Sequence, residues 1–372
     1  MNITENHTPY SAKELFRLAK RENNTKRGSL IVNLRQGKHV PVSPSQALEL
    51  FDTLAERVCG GLCGEKVLVI GFAETATAIG AELAARIGGE TVYIHTTREK
   101  FPPEMRLADF SEEHSHATEQ NLYSDCGRDI LKGIDRIIFA EDELTTGKTI
   151  LNFISALGDT GVKYAAASII NGMSRENLAE YEKRGIDLYY AVKTESSLEV
   201  LSESRETVQL PDILPDSGYG RDFTETKAKM SADPRLGVRA AEYERECTAL
   251  YENIRELIPH GCTSIDVVGT QECMYPAIKL GAELEKQGFR VRTHSTTRSP
   301  IVPSAEENYP LFSRYCLRSL YDNERRVYLY NLYPCELTVL VTDAKESSPE
   351  ITRELMSIFK SEKKILLILS LE

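Results

Sequence analysis

The side chains best placed to do chemistry lie in one short stretch, Glu141-Asp142-Glu143-Leu144-Thr145-Thr146-Gly147-Lys148-Thr149. Successive carboxylates can accept hydrogen bonds from the hydroxyls of a vicinal diol, and hydroxylated residues around a glycine can wrap a phosphate. Ahead of the acids, Ile137-Ile138-Phe139-Ala140 is too brief for a helix and reads as a buried parallel strand that stops where the carboxylates begin. Behind them, Ile150, Phe153, Ile154 and Leu157 recur at helical spacing and Gly158 closes the run, so the loop opens a helix. The first N–H groups of that helix and its positive dipole end make an anion site, to which Thr145, Thr146 and Thr149 add hydroxyls. A plain helix cap with chance acids before it is the bland alternative, but a cap needs only one of these residues.

Gly147-Lys148-Thr149 invites a nucleotide-triphosphate P-loop reading, which fails because Asp142 stands where that motif needs its first glycine. A phosphate cradle directly after paired acids remains. Two further strand ends support it. Lys66–Ile70 reads as a strand leading into Gly71-Phe72-Ala73-Glu74-Thr75 and a small-residue helix, again an anion-binding arrangement. Thr91–His95 reads as a strand ending in Thr96-Thr97-Arg98, where an arginine can clamp phosphate oxygens. Beside an anion Glu74 is out of place, so it is expected to act through Mg²⁺ or through a hydrogen bond to Thr97 or Arg98. Residues 100–128 are polar and read as a long irregular loop of the kind that closes over a site. Within it His114 and His116 lack a third metal ligand and are candidates for hydrogen bonding to a departing anion.

The chain has 372 residues, 41% hydrophobic and 27% charged, which suits two ordinary α/β domains. A net charge of −11 without a basic run argues against nucleic acid, and no apolar run is long enough to span a bilayer or lead a signal peptide. A cytoplasmic protein with no membrane partner is expected, its eight irregularly spaced cysteines reduced. Residues 1–28 read as a partly ordered arm. Ser29–Leu34 and Lys38–Val42 flank Gln36-Gly37 as a hairpin, with Lys38 and His39 candidate ligand contacts at its turn. A helix follows through Leu48, Phe51, Leu54 and Val58, capped by Ser45. Tyr164–Ile170 and Leu188–Val192 add strands, and Tyr219, Gly220 and Arg221 lie in a Pro/Gly-rich connection that either returns to the site or merely links two domains.

Beyond that connection the pattern begins again. Gly269-Thr270-Gln271-Glu272 repeats the type of Gly71–Glu74, and Ser295-Thr296-Thr297-Arg298 repeats His95–Arg98. The strand Leu337–Thr342 ends at Asp343, close to the spacing at which Asp142 follows Arg98. A divergent internal duplication accounts for this, with two unrelated α/β units as the alternative. The second copy lacks the paired acids and the Thr-Thr-Gly cradle, leaving Gly269, Glu272, Thr297 and Arg298 as its candidate site.

Glu141 to Thr149 resembles the phosphoribosyl pyrophosphate motif of type I phosphoribosyltransferases, departing from it at Glu143, where the common pattern is apolar. With Ala73–Thr77 and Thr297-Arg298-Ser299-Pro300, the chain resembles an orotate-phosphoribosyltransferase-like domain joined to a C-terminal TRSP domain, a pairing of bacterial tellurium-resistance and stress-response gene clusters. The resemblance implies a Rossmann-like parallel sheet with an N-terminal hood hairpin in residues 28–222. A second, divergent Rossmann-like α/β domain is implied in residues 240–372. It implies a pentosyl (glycosyl) transferase moving ribose 5-phosphate between phosphoribosyl pyrophosphate and a nucleobase-like acceptor, with Mg²⁺ on the substrate. Glu141 and Asp142 would hold the ribose hydroxyls, and the metal indirectly. Thr145, Thr146, Gly147, Lys148 and Thr149 would take the 5′-phosphate, and Ala73, Glu74, Thr75 and Arg98 the pyrophosphate. His114 and His116 would serve on the closing loop, and a homodimer is open to the fold. A non-catalytic sensor binding the same ligand is the alternative.

Overall fold

The computed structural model describes residues 3–22, 29–110, 120–195, 208–215, 222–345 and 347–371. Five parallel strands centre the first half: β1 (Val67–Gly71), β2 (Val92–His95), β3 (Arg136–Leu144), β4 (Lys163–Asn171) and β5 (Ile186–Thr194), in the order β5-β4-β3-β1-β2. Ile3–Asn6 adds an antiparallel edge beside β5 and Val238–Arg239 another beside β2. Every residue of β1 is buried, as expected of a central strand covered on both faces. The covering helices are α1 (Pro44–Cys59), α2 (Ala76–Ile87), α3 (Lys148–Leu157) and α4 (Arg175–Lys183). In α1 a proline fills the first turn and Leu50, Phe51, Leu54 and Val58 form the buried stripe. Burying a side chain such as Phe51 contributes about 1.5–3 kcal/mol.

The second half repeats the order. β6 (Thr224–Met230), β7 (Ser264–Gly269), β8 (Arg290–Ser295), β9 (Leu337–Thr342) and β10 (Lys363–Leu371) form a parallel sheet β6-β10-β9-β7-β8, flanked by α5 (Ala240–Ala249), α6 (Tyr275–Lys286) and α7 (Pro349–Ser357). β7, β8 and β9 stand where β1, β2 and β3 stand in the first sheet. The position of β5 is taken by β6, which precedes the rest of its sheet in the chain. The repeat extends to irregular parts. In the first half Thr97 and Asn121 exchange backbone hydrogen bonds of 2.9 and 3.0 Å beside the hairpin Arg106–Phe110/Gln120–Tyr123. In the second, Thr297 and Tyr328 exchange bonds of 2.9 and 2.7 Å beside the hairpin Arg314–Arg318/Arg326–Tyr330. The stretch 100–128 is therefore not irregular throughout, since its ends pair as strands; its tip, 111–119, lies outside the described residues.

The N-terminal hairpin also differs from the expected one. Ser29–Asn33 pairs with Phe16–Lys20 rather than with residues 38–42. Residues 34–42 instead run along the second half, where Val42 and Thr293 exchange bonds of 3.0 and 2.8 Å. Backbone bonds to the chain past β8 secure the hairpin there too: Val302 N donates to Lys20 O and Glu22 N to Pro300 O, each at 2.9 Å.

One buried apolar cluster joins the halves, with Leu54, Leu83 and Val69 from the first and Val267, Leu280 and Leu284 from the second. The helices approach closely: a Cβ on Gly281 would stand 2.6 Å from Pro44 Cγ, so only glycine fits there. Glu82, fully buried between α2 and α6, accepts from Tyr275 Oη at 2.8 Å and faces Lys279 Nζ at 3.6 Å. All eight cysteines are free thiols, and no described helix is long and apolar enough to cross a membrane.

Candidate functional site

The acids continue β3 rather than ending it. Glu141 pairs with Ser168 and Glu143 with Ile170, because β4 runs on beside them and supplies ladder partners. The strand is buried through Ala140, half-buried over Glu141–Glu143, and buried again at Leu144. The turn into α3 rests on Gly147, whose φ of 73° favours glycine. A Cβ there would meet Tyr181 Oη at 2.5 Å, and that hydroxyl donates to Gly147 O at 2.7 Å. Burial, with the Glu141 carboxylate nearby, pushes the Tyr181 phenol up and keeps it a donor. Thr146 Oγ1 accepts from Lys148 N at 3.3 Å; Thr145, Thr146 and Thr149 are half-buried and Lys148 is exposed.

The glycine loop lies against this cradle. Phe72 N donates to Ala140 O at 3.1 Å and Thr96 N to Gly71 O at 2.9 Å, tying together the carboxyl ends of β1, β2 and β3. Ala73 N donates to Thr96 Oγ1 at 2.8 Å, so this N–H is spent inside the loop. The Ala73–Glu74 peptide bond is cis. Among the described residues the N–H groups of Glu74 and Thr75 make no hydrogen bond, and α2 begins immediately after them.

The Glu74 carboxylate points away from that loop, into the seam between the halves. Glu74 Oε2 accepts from Thr297 Oγ1 at 2.8 Å and Arg298 N at 3.2 Å, with Lys38 Nζ 3.1 Å away. The hydrogen bond expected from Thr97 or Arg98 therefore comes from their counterparts in the second half. Thr97 and Arg98 instead serve Glu272: Thr97 Oγ1 donates at 2.7 Å and Arg98 N at 3.3 Å. Burial would raise the Glu74 carboxyl, but Lys38, Arg298, the Thr297 hydroxyl and Arg98 hold it down at about 2. Burial likewise opposes ionisation of Glu272, and Arg235, His95, Arg298 and the Thr97 hydroxyl win, lowering it. The Arg298 guanidinium stands 3.6 Å from each glutamate, and Arg98 Nε is buried without a hydrogen bond.

Glu272, Thr297 and Arg298 thus gather on the seam rather than around a cleft of their own, while Gly269 ends β7 and accepts from Thr296 N at 3.0 Å. The cleft at the ends of β7 and β9 is filled by the chain itself. Arg235 Nη2 donates to Asp343 Oδ2 at 2.5 Å, Arg235 Nε to Glu272 Oε2 at 3.3 Å, and Tyr321 Oη to the other Asp343 oxygen. Arg235 and Tyr321 were not singled out by sequence, since no spacing marks either. Lys38 and His39, expected at an exposed turn, are buried: Lys38 Nζ donates to Gln271 O at 2.8 Å and Thr296 O at 3.1 Å. His114, His116, Tyr219, Gly220 and Arg221 lie outside the described residues. No group of three or more His, Cys, Asp or Glu among the described residues could hold a metal ion.

A family model described as "Phosphoribosyl transferase" matches residues 15–200, and one described as "TRSP domain C terminus to PRTase_2" matches residues 233–359. No curated protein matches. Among solved structures, adenine phosphoribosyltransferase from Rhodothermus marinus is similar at 13% identity and a TM-score of 0.34, over 49% of this chain and 96% of that one. The enzyme from Giardia lamblia in complex with 9-deazaadenine is similar at 14% identity and 0.37, over 49% and 94%. Orotate phosphoribosyltransferase from Aeropyrum pernix is similar at 16% identity and 0.32, over 52% and 96%.

Proposed function

The chain belongs to the phosphoribosyl transferase family, with a TRSP domain following, and from that premise we propose that it transfers ribose 5-phosphate between phosphoribosyl pyrophosphate and a nucleobase-like acceptor. The observation that carries this is the continuity of Glu141–Thr149 with the glycine loop, through the Phe72 N to Ala140 O bond. It brings Glu141 and Asp142, the Thr145–Thr149 turn and the 71–75 loop to one strand end, as a diol, a phosphate and a pyrophosphate on one ligand would need. In the forward step the bond from ribose C1′ to the pyrophosphate oxygen breaks with its electron pair leaving on pyrophosphate. A bond from an acceptor nitrogen to C1′ forms, and the acceptor's proton goes to solvent.

In this reading Glu141 and Asp142 accept from the ribose hydroxyls and offset the positive charge that develops at C1′. Thr145, Thr146, Gly147, Lys148 and Thr149 hold the 5′-phosphate, Glu74 and Thr75 offer N–H groups to pyrophosphate beside Ala73, and Arg98 supplies charge. His114 and His116 would hydrogen-bond to the leaving group. Magnesium would be carried on the substrate's phosphate oxygens, with Glu141 and Asp142 holding it indirectly through the ribose hydroxyls. Such an ion would neutralise the departing pyrophosphate. Holding the reactants in line would add to the acceleration.

A pyrophosphate-release assay over a panel of bases tests the enzyme reading, beside calorimetry of phosphoribosyl pyrophosphate on the full chain. Asp142→Ala is expected to lower turnover by about a hundredfold or more. Tight binding by the unaltered chain with no turnover on any base would favour a sensor instead. The observation that lends weight to a sensor is the tie from the glycine loop through Glu74 to the second half.

A further inference from the structure

The Thr-Arg-Ser-Pro run begins with two groups that serve the other half. Thr297 Oγ1 and the Arg298 N–H converge on one oxygen of Glu74, at 2.8 and 3.2 Å. Glu74 is the middle of three loop residues: Ala73 before it is fixed by Thr96 from its own half, and Thr75 after it precedes α2. The loop is thus pinned on one side by the first half and on the other by the second. This pinning bears on anions. A carboxylate swinging free beside the Glu74 and Thr75 N–H groups would repel a pyrophosphate there. Held by Thr297 and Arg298, it faces Lys38 in the seam and leaves those N–H groups clear. The reverse pair, Thr97 with Glu272, has no equivalent cleft to serve, because Arg235 and Tyr321 fill the second half's strand ends.

We propose that Thr297, with the Arg298 amide, is a positioning residue for the first half's pyrophosphate loop: the TRSP run acts across from the second half to the first, aiming the Glu74 and Thr75 amides by anchoring the Glu74 carboxylate. The inference rests on the reading of residues 73–75 as a pyrophosphate site. It separates the two anion sites of one ligand, since Thr297 Oγ1 and the Arg298 N–H both go to Glu74 in the glycine loop.

Calorimetry on the full-length chain with magnesium and three probes tests it: phosphoribosyl pyrophosphate, inorganic pyrophosphate and ribose 5-phosphate. Thr297→Val keeps the shape and removes the hydroxyl; it is expected to weaken the first two by about tenfold, the loss of one hydrogen bond to a charged group, while ribose 5-phosphate stays within about twofold. Thr297→Ser should restore all three. Unchanged pyrophosphate binding in Thr297→Val, an equal loss for all three probes, or no rescue by serine would each overturn the proposal. Should the valine variant not fold, Glu74→Asp, which withdraws the carboxylate from Thr297, takes its place with the same selective loss expected; undiminished pyrophosphate binding there overturns it. An unaltered chain that binds none of the three probes removes the phosphoribosyl reading itself, and this inference with it, whereas binding that ignores position 297 removes this inference alone.

Discussion

Glu74 and Glu272 have exchanged partners: each half's glycine-loop carboxylate is held by the Thr-Arg pair of the other half, at 2.8 Å from Thr297 Oγ1 and 2.7 Å from Thr97 Oγ1. Reciprocity of this kind is what two identical subunits make across a two-fold axis. Here it occurs within one chain, between two sheets of like strand order. The first half has the Thr145–Thr149 turn at its strand end, and the second has Arg235 and Tyr321 bonded to Asp343.

Gly147→Ala puts a Cβ 2.5 Å from Tyr181 Oη at a φ of 73°. Moving the ring or straining the turn is expected to cost about 1–3 kcal/mol and to weaken ribose 5-phosphate binding more than pyrophosphate binding. Urea unfolding and calorimetry read the two effects separately.

Leu280→Ala opens a cavity in the cluster shared by both halves, and a loss of about 2–5 kcal/mol is expected. Because that cluster joins Leu83 to Leu284, scanning calorimetry should show both halves melting together at a lower temperature. Two separated transitions would mean that the halves do not share a core.

Arg235 is buried against Asp233, Glu272 and Asp343. Arg235→Leu leaves buried Asp233 and Asp343 without their cation and Glu272 with only the more distant Arg298, and a loss of about 3–5 kcal/mol is expected. Adding Asp343→Asn should return part of it, which a double-mutant cycle under denaturant would measure.

Acid should weaken the fold through two histidines. Burial, with Lys38 beside one and Arg292 beside the other, lowers His39 and His294 to about 3 from 6.5. The unfolded chain takes up these protons first, so stability is full above 6.5 and falls as the pH drops toward 3. Glu74, whose folded value of about 2 lies below the ordinary 4.5, adds a further fall between those two values. Melting temperature measured from about pH 7 to about pH 5 should decline in the unaltered chain, and less steeply in a His39→Gln, His294→Gln double variant.

What could be read from residues alone was local. Strand, acids, Thr-Thr-Gly and amphipathic helix follow one another within a few residues, so periodicity and turn chemistry place the cradle directly. The likeness of the second half to the first was visible because Gly-x-x-Glu and Thr-Thr-Arg sit at strand ends, where side chains are constrained by loop geometry more than by packing. Which threonine holds which glutamate was not visible, because Thr297 and Glu74 lie 223 residues apart and both choices satisfy the same local chemistry. Lys38 looked like an exposed turn residue for the same reason: its partners, Gln271 O and Thr296 O, belong to the other half. The hairpin ending at Tyr123 was missed because its strands are short and the sequence between them is polar, although Leu107, Ala108, Leu122 and Tyr123 are buried.

The strand Val238–Arg239 closes the first sheet, yet it comes after β6, which closes the second. The chain therefore crosses between the sheets and back before the second core begins. For the gene this means that no single cut yields two self-sufficient pieces. A break before residue 224 strips the first sheet of an edge, and one after residue 239 strips the second of β6. Recombination that swaps either half as a module would be penalised at once, so the pair is expected to be inherited as one reading frame.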